Sequence, residues 1–164
     1  MYATILPTDA TPPAAATEEF ALRQIAGPRE VVLRLHSDEA APGTDHWIVE
    51  TDQPMGPPGA KPAVASVVTF SGPMSPAVRA AADRADRDRI GPRMAELATT
   101  TGRVLRLWQP GRQRKVVVVF AVDQPTLEGG FRAISSMELL PGEDPALLPG
   151  PDHVEIFEVT AETT

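Results

Sequence analysis

Arg103-Val104-Leu105-Arg106-Leu107-Trp108 and Lys115-Val116-Val117-Val118-Val119-Phe120-Ala121-Val122 flank the turn Gln109-Pro110-Gly111-Arg112-Gln113-Arg114. These two runs decide the fold. The first alternates with period two, so Leu105 and Leu107 share one face of a strand and Arg106 and Trp108 the other. The second has no polar alternation, and such a strand is buried on both faces. A hairpin with one doubly covered strand needs a packed layer on each side of its sheet.

Outward from this hairpin, Val64 to Phe70 reads as a preceding strand. Ser75-Pro76 starts a helix, with Ser as cap and Pro at the first position, where no N–H is needed. Val78, Ala82 and Ala85 form its apolar face, and Ile90, Met94 and Leu97 continue that face past Gly91-Pro92, which should kink or break it. After the hairpin, Thr126 to Leu140 reads as a helix, Pro141 to Pro151 as a loop, and His153 to Thr160 as the last strand. Earlier in the chain, Tyr2 to Leu6, Val31 to His36 and His46 to Thr51 read as strands. Thr17 is placed as the cap of a helix with Glu18 and Glu19 in its first turn, ended by Gly27-Pro28. Asp52 to Pro62 is irregular.

Val32-Leu33-Arg34-Leu35 recurs as Val104-Leu105-Arg106-Leu107, and Asp52-Gln53-Pro54 as Asp123-Gln124-Pro125, at nearly one offset. This collinearity predicts an internal duplication. Residues 63–164 then read as β-α-β-β-α-β, the complete ferredoxin-like order, and residues 1–62 as the same unit curtailed. The expected class is α+β, with two ferredoxin-like βαββαβ units in tandem. Their antiparallel sheets would pack as an α/β barrel and cover the valine strand.

In element order, and in the segments Val104 to Trp108, Lys115 to Pro125 and His153-Val154-Glu155-Ile156-Phe157, the chain resembles the dimeric α/β-barrel superfamily. That group includes antibiotic-biosynthesis-monooxygenase-like, stress-responsive and YCII-like proteins. The resemblance covers residues 64–160 in full and the first 62 loosely. It implies a homodimer or a fused pseudo-dimer, and a small-molecule pocket between the sheets. It also implies a cofactor-independent monooxygenase acting on an aromatic substrate, with no cofactor and no metal.

With the leucines placed against helices, Arg34, His36, Arg106 and Trp108 would point into that pocket. His36 is then the candidate general base, since its ordinary pKa lies near neutrality. Arg34 and Arg106 are candidates to hold an anionic oxygen, and Trp47 and Trp108 to stack on a flat substrate. The alternatives are a non-catalytic small-molecule-binding or stress-related barrel, and a barrel whose interior is closed by side chains. His36 and His46 flank one loop with Asp38 and Asp45, but that spacing matches no standard metal motif.

Other classes are disfavoured by composition. The 18 prolines among 164 residues are about twice average usage, yet Pro plus Gly stays below the range of disordered chains. No apolar run suits a transmembrane helix, and Met1 to Asp9 show no secretory pattern, so a cytoplasmic protein is expected. There is no cysteine, which excludes disulfides and thiolate chemistry. No nucleotide loop or serine-hydrolase elbow is present. Net charge is -7, which argues against nucleic acid as a partner. Residues 76–115 nevertheless hold 10 basic and 4 acidic groups, and are expected to pair with acidic segments elsewhere in the fold.

Overall fold

Alternating and β-branched runs close here into a single ring of strands. The computed structural model describes residues 1–10, 16–37, 46–55, 61–97 and 101–164. The strands are β1 (Tyr2–Pro7), β2 (Glu18–Gln24), β3 (Glu30–His36), β4 (Trp47–Pro54), β5 (Val64–Phe70), β6 (Thr101–Gln109), β7 (Arg114–Ala121) and β8 (His153–Thr163). They form a closed barrel in the order β1-β3-β2-β8-β5-β7-β6-β4, with every pairing antiparallel. The two halves of the chain each contribute four neighbouring strands in one order, β4-β1-β3-β2 and β8-β5-β7-β6. Closure leaves no free sheet edge.

The barrel interior is filled. Leu33 and Leu35 of β3 meet Leu105 and Leu107 of β6, with Phe20, Val118, Phe120 and Phe157 in the same cluster. The Phe20 and Phe120 rings lie 4.5 Å apart. The expectation that the leucines would face helices is therefore reversed: they face inward, and Arg34, His36, Arg106 and Trp108 lie on the outer face. Alternation fixes which residues share a face, but not which face is inner. Polar groups close the ends. At one end Arg103 binds Asp52 of β4 and Glu18 of β2, and β2 stands opposite β6 across the ring. At the other, Arg114 donates to Gln109 and lies 5.4 Å from the Trp47 ring centre.

Helices cover the outer face of the β5–β8 half. Helix α1 (Pro76–Ala85) passes into a π-helical segment, Asp86–Ile90, and then α2 (Gly91–Glu96), while α3 (Gln124–Ser135) lies beside them. Ser75 caps α1 by accepting from the Val78 N–H at 3.2 Å. The break expected at Gly91-Pro92 takes the form of the π segment just before it, where the Gly91 N–H reaches back to the Asp86 carbonyl. Val104 packs with Met94, and Val117, Val119 and Ile134 join them. The valine strand is thus covered by the barrel core on one side and by helices on the other. Among the described residues, no helix is long and apolar enough to cross a membrane.

Several readings are corrected. The helix expected after Thr17 is strand β2. Phe20 and Leu22 point inward with period two, and pairing to both β3 and β8 outweighs the capping signal. Thr17 instead donates its hydroxyl to the Leu35 carbonyl. Helix α3 begins at Gln124, directly after its cap Asp123, rather than at Thr126, and ends at Ser135 rather than Leu140. The repeated words fall at different structural positions. The two VLRL runs lie on β3 and β6, the third strand of one half and the second of the other. One DQP ends β4 and the other starts α3. The basic middle segment meets acidic partners within the chain, through Arg79–Glu50, Arg89–Glu143 and Arg103–Glu18.

Candidate functional site

Between the outer face of β5–β8 and the helices lies a cavity of about 620 Å³, within the size range of small-molecule sites. Its walls are apolar, carried by Val68, Val104, Val117, Met94, Phe131 and Ile134. Polar groups are few. Gln53, Asp86 and Arg106 lie in this lining, with Arg132 and Ser135 of α3.

A bulge in β4 sets this polar cluster. Register shifts between Val49 and Thr51. Asp52 then falls opposite Leu105 on the inner face, and Gln53 opposite Val104 on the cavity face. Asp86 is brought in by the π segment, a distortion frequent at functional sites. It accepts a hydrogen bond from the Lys115 ammonium, and Arg106 Nε stands 3.3 Å from its Oδ2. That contact is one of charge only, because Arg106 Nε is buried and makes no hydrogen bond. Asp86 and Arg106 also line a polar hollow of about 360 Å³ with Glu50, Asp83 and Arg87. A third hollow of about 210 Å³ contains Asp86, Lys115 and the proline-rich segment at Leu148 to Pro151. That segment is tied down by Glu143, which accepts from Arg89 Nε at 2.8 Å and from the Leu140 N–H at 2.8 Å.

Of the five site residues expected from sequence, Arg106 alone lines the cavity. Trp47 is part of the barrel core. Trp108 lies under the Arg79 guanidinium at 3.9 Å, and Arg79 is held in turn by Glu50 and Asp83. Arg34 donates to Glu19 at 2.6 Å, while its Nη1 is buried without a hydrogen bond. His36 is buried, stacks on Tyr2 at 4.4 Å and lies 3.3 Å from the Thr4 hydroxyl. His46 meets the same Tyr2 ring edge-on, so the two histidines are brought together. Asp38 and Asp45 lie outside the described residues. The pocket expected between the sheets is occupied by side chains, and the cavity is displaced to the helix side of one sheet.

Asp86 was missed by sequence reasoning, although it left a signal. Ala82, Asp86 and Ile90 are spaced i, i+4 on the apolar stripe, and a carboxylate on a buried stripe marks a functional candidate.

Two solved structures share the architecture over nearly the whole chain. LmHde, a heme-degrading enzyme from Listeria monocytogenes, superposes with a TM-score of 0.53 at 8% identity, over 97% of this chain and 99% of that one. A candidate monooxygenase from Fusobacterium nucleatum gives 0.55 at 7% identity, over 93% of this chain and 80% of that one. The chain shares its fold with these two structures. No protein-family model matches the chain, and no curated protein matches it. In this barrel all eight strands come from one chain, so the ring closes without a second copy.

Proposed function

We propose that this barrel is a small-molecule enzyme of monooxygenase-like type, with an aromatic substrate held in the helix–sheet cavity. The observation that carries the reading is a largely apolar space of ligand size with one carboxylate and one arginine in its wall. The substrate's apolar body lies against Val104, Val117, Met94 and Phe131. Asp86 takes a proton from it, and Arg106 orients it. With O2 as oxidant and the substrate supplying all four electrons, a CH2 group becomes a carbonyl. One oxygen atom is incorporated and the other leaves as water. The likeness to a heme-degrading enzyme raises haem as an occupant. The described lining offers an iron the thioethers of Met55 and Met94 and the carboxylate of Asp86, which Lys115 already engages. Haem iron is held by imidazole, thiolate or phenolate, or by Met paired with His, so these residues do not fit haem and no step is routed through it.

The supporting organisation is two fused ferredoxin-like units, residues 1–62 and 63–164, the first with no helix among its described residues. The shared strand order of the two halves favours it. A non-catalytic binding role is the second reading, favoured by the hydrogen bond that already engages Asp86 with Lys115.

Oxygen uptake in the presence of flat aromatic ketones and phenols, with no added flavin or haem, tests the reading. Uptake that depends on the aromatic molecule, and that Asp86→Asn abolishes while binding persists, supports the enzyme. Binding without uptake supports the second reading. Absence of binding, or equal binding in a cavity-filling Met94→Trp variant, overturns both.

A further inference from the structure

We infer that the ligand of the helix–sheet cavity carries a carboxylate at one end of its apolar body, and that Arg106 receives it. The inference rests on the cavity reading above and names the substrate class. At neutral pH the inner cluster holds two positive charges, Arg106 and Lys115, against the single negative charge of Asp86. Lys115 is buried and spends its contact on Asp86. Arg106 has only the 3.3 Å charge contact with the same Oδ2 atom, and its buried Nε makes no hydrogen bond.

The other charged groups around Arg106 already have partners. In the adjoining hollow, Glu50 and Asp83 face Arg79 at its other side, and Arg87 is paired with Asp88. On the far side of the cavity, Arg132 is exposed and lies 4.0 Å from Glu128. Arg106 is thus left with a charge contact to an anion that Lys115 already engages and with no hydrogen bond at its Nε, on a planar donor group in an otherwise apolar wall. The Arg106 side chain is largely buried, at 15% exposure; donors left unfilled there are costly, and the guanidinium fork fits a carboxylate. A bound carboxylate brings the cluster to two positive and two negative charges, while Lys115 keeps Asp86 from being displaced. Val104 and Val117, beside Arg106 on the cavity wall, leave the rest of the ligand an apolar seat.

Calorimetric titration of the full chain at pH 7 with naphthalene-2-carboxylate and with the uncharged naphthalene-2-carboxamide tests this. The carboxylate should bind at least about tenfold more tightly than the amide. Arg106→Gln should reduce the carboxylate to the affinity of the amide and leave amide binding unchanged. Arg106→Lys, which retains the charge but not the fork, should fall between them. The comparison of the two probes on the unaltered protein stands even if a variant fails to fold. Equal binding of the two probes overturns the inference and leaves the apolar-cavity reading in place. Tighter binding of the amide does the same. If neither probe binds, the cavity reading falls and this inference falls with it.

Discussion

Arg103 grips both carboxylate oxygens of Asp52, Nε to Oδ1 at 2.7 Å and Nη2 to Oδ2 at 2.8 Å. The same guanidinium reaches across the barrel mouth to Glu18 at 2.7 Å. Its hydrogen bonds to Asp52 first, and to Glu18 after, hold its pKa above the ordinary arginine value against the opposing effect of burial. Arg103→Met leaves two partly buried carboxylates facing each other without a cation. Roughly 3 kcal/mol of stability should be lost in urea unfolding, the range for breaking a largely desolvated pair. The exposed pair Arg23–Glu158 is the contrast, and Arg23→Ala should move the midpoint little.

Gly91→Ala should destabilise. At an ordinary helix position this change stabilises by about 0.5–1 kcal/mol. Here the new Cβ would stand 2.6 Å from the Asp86 carbonyl oxygen, a backbone atom that cannot rotate away. A loss of about 1–3 kcal/mol is expected. The π segment should also straighten and move Asp86 from Lys115, which a crystal structure of the variant would show. A gain in stability would count against the π-helical placement of Asp86.

Leu105→Ala tests whether the barrel interior is filled. Leu105 is fully buried in a cluster drawn from both halves of the chain. Truncation should cost about 3 kcal/mol, in the range for cavities that surrounding side chains cannot refill. The two halves should still unfold in one transition by fluorescence and circular dichroism. Two separated transitions would show that the halves do not share a core.

Asp123 links stability to pH. Its carboxylate caps α3 by accepting from the Thr126 N–H at 2.8 Å, and hydrogen bonding by Thr126 lowers its pKa below the ordinary 3.8. The folded state thus prefers the charged form. The stabilisation is fully present above the unfolded pKa and is lost as pH falls through the folded one. Thermal midpoints taken from pH 6 down to pH 2 should fall less steeply for Asp123→Asn than for the unaltered chain below about pH 4. Parallel curves would refute the capping linkage.

Arg89→Ala should release the proline-rich segment. The Glu143 side chain is 3% exposed, and Arg89 is its charged partner. Without that cation the carboxylate is buried uncompensated, a cost of roughly 3 kcal/mol that lifting the segment into water relieves. Limited proteolysis should then cut within residues 141–151, where the unaltered protein resists.

Much of the architecture was legible in residue order. Val64 to Phe70 is a short valine-rich run bounded by proline and glycine as strands are, Ser75-Pro76 starts a helix because its cap and first-turn chemistry are local, and Val116 to Val119 demands cover on both sides. These signals survive because each depends on neighbours a few residues away. The segment Glu18 to Gln24 was misread for the same reason. Its capping residues favour a helix locally, and only pairing with β3 and β8, the latter more than a hundred residues distant, makes it a strand.

The site lay beyond such reasoning. Alternation puts Leu105 with Leu107 and Arg106 with Trp108, but both faces of a barrel wall can be buried, and period two carries no sign for inside or outside. Ring closure decided that sign and filled the expected pocket with leucine and phenylalanine. A one-residue bulge near Glu50 then placed Asp52 inward and Gln53 toward the cavity, and a π turn brought Asp86 to Lys115. The sequence by itself determined the strands other than β2, the places of the helices and the meeting of its basic middle with acidic segments. Tertiary structure alone decided which face became core and where Arg106 meets Asp86, because both follow from closing eight strands into one ring and laying a distorted helix across it.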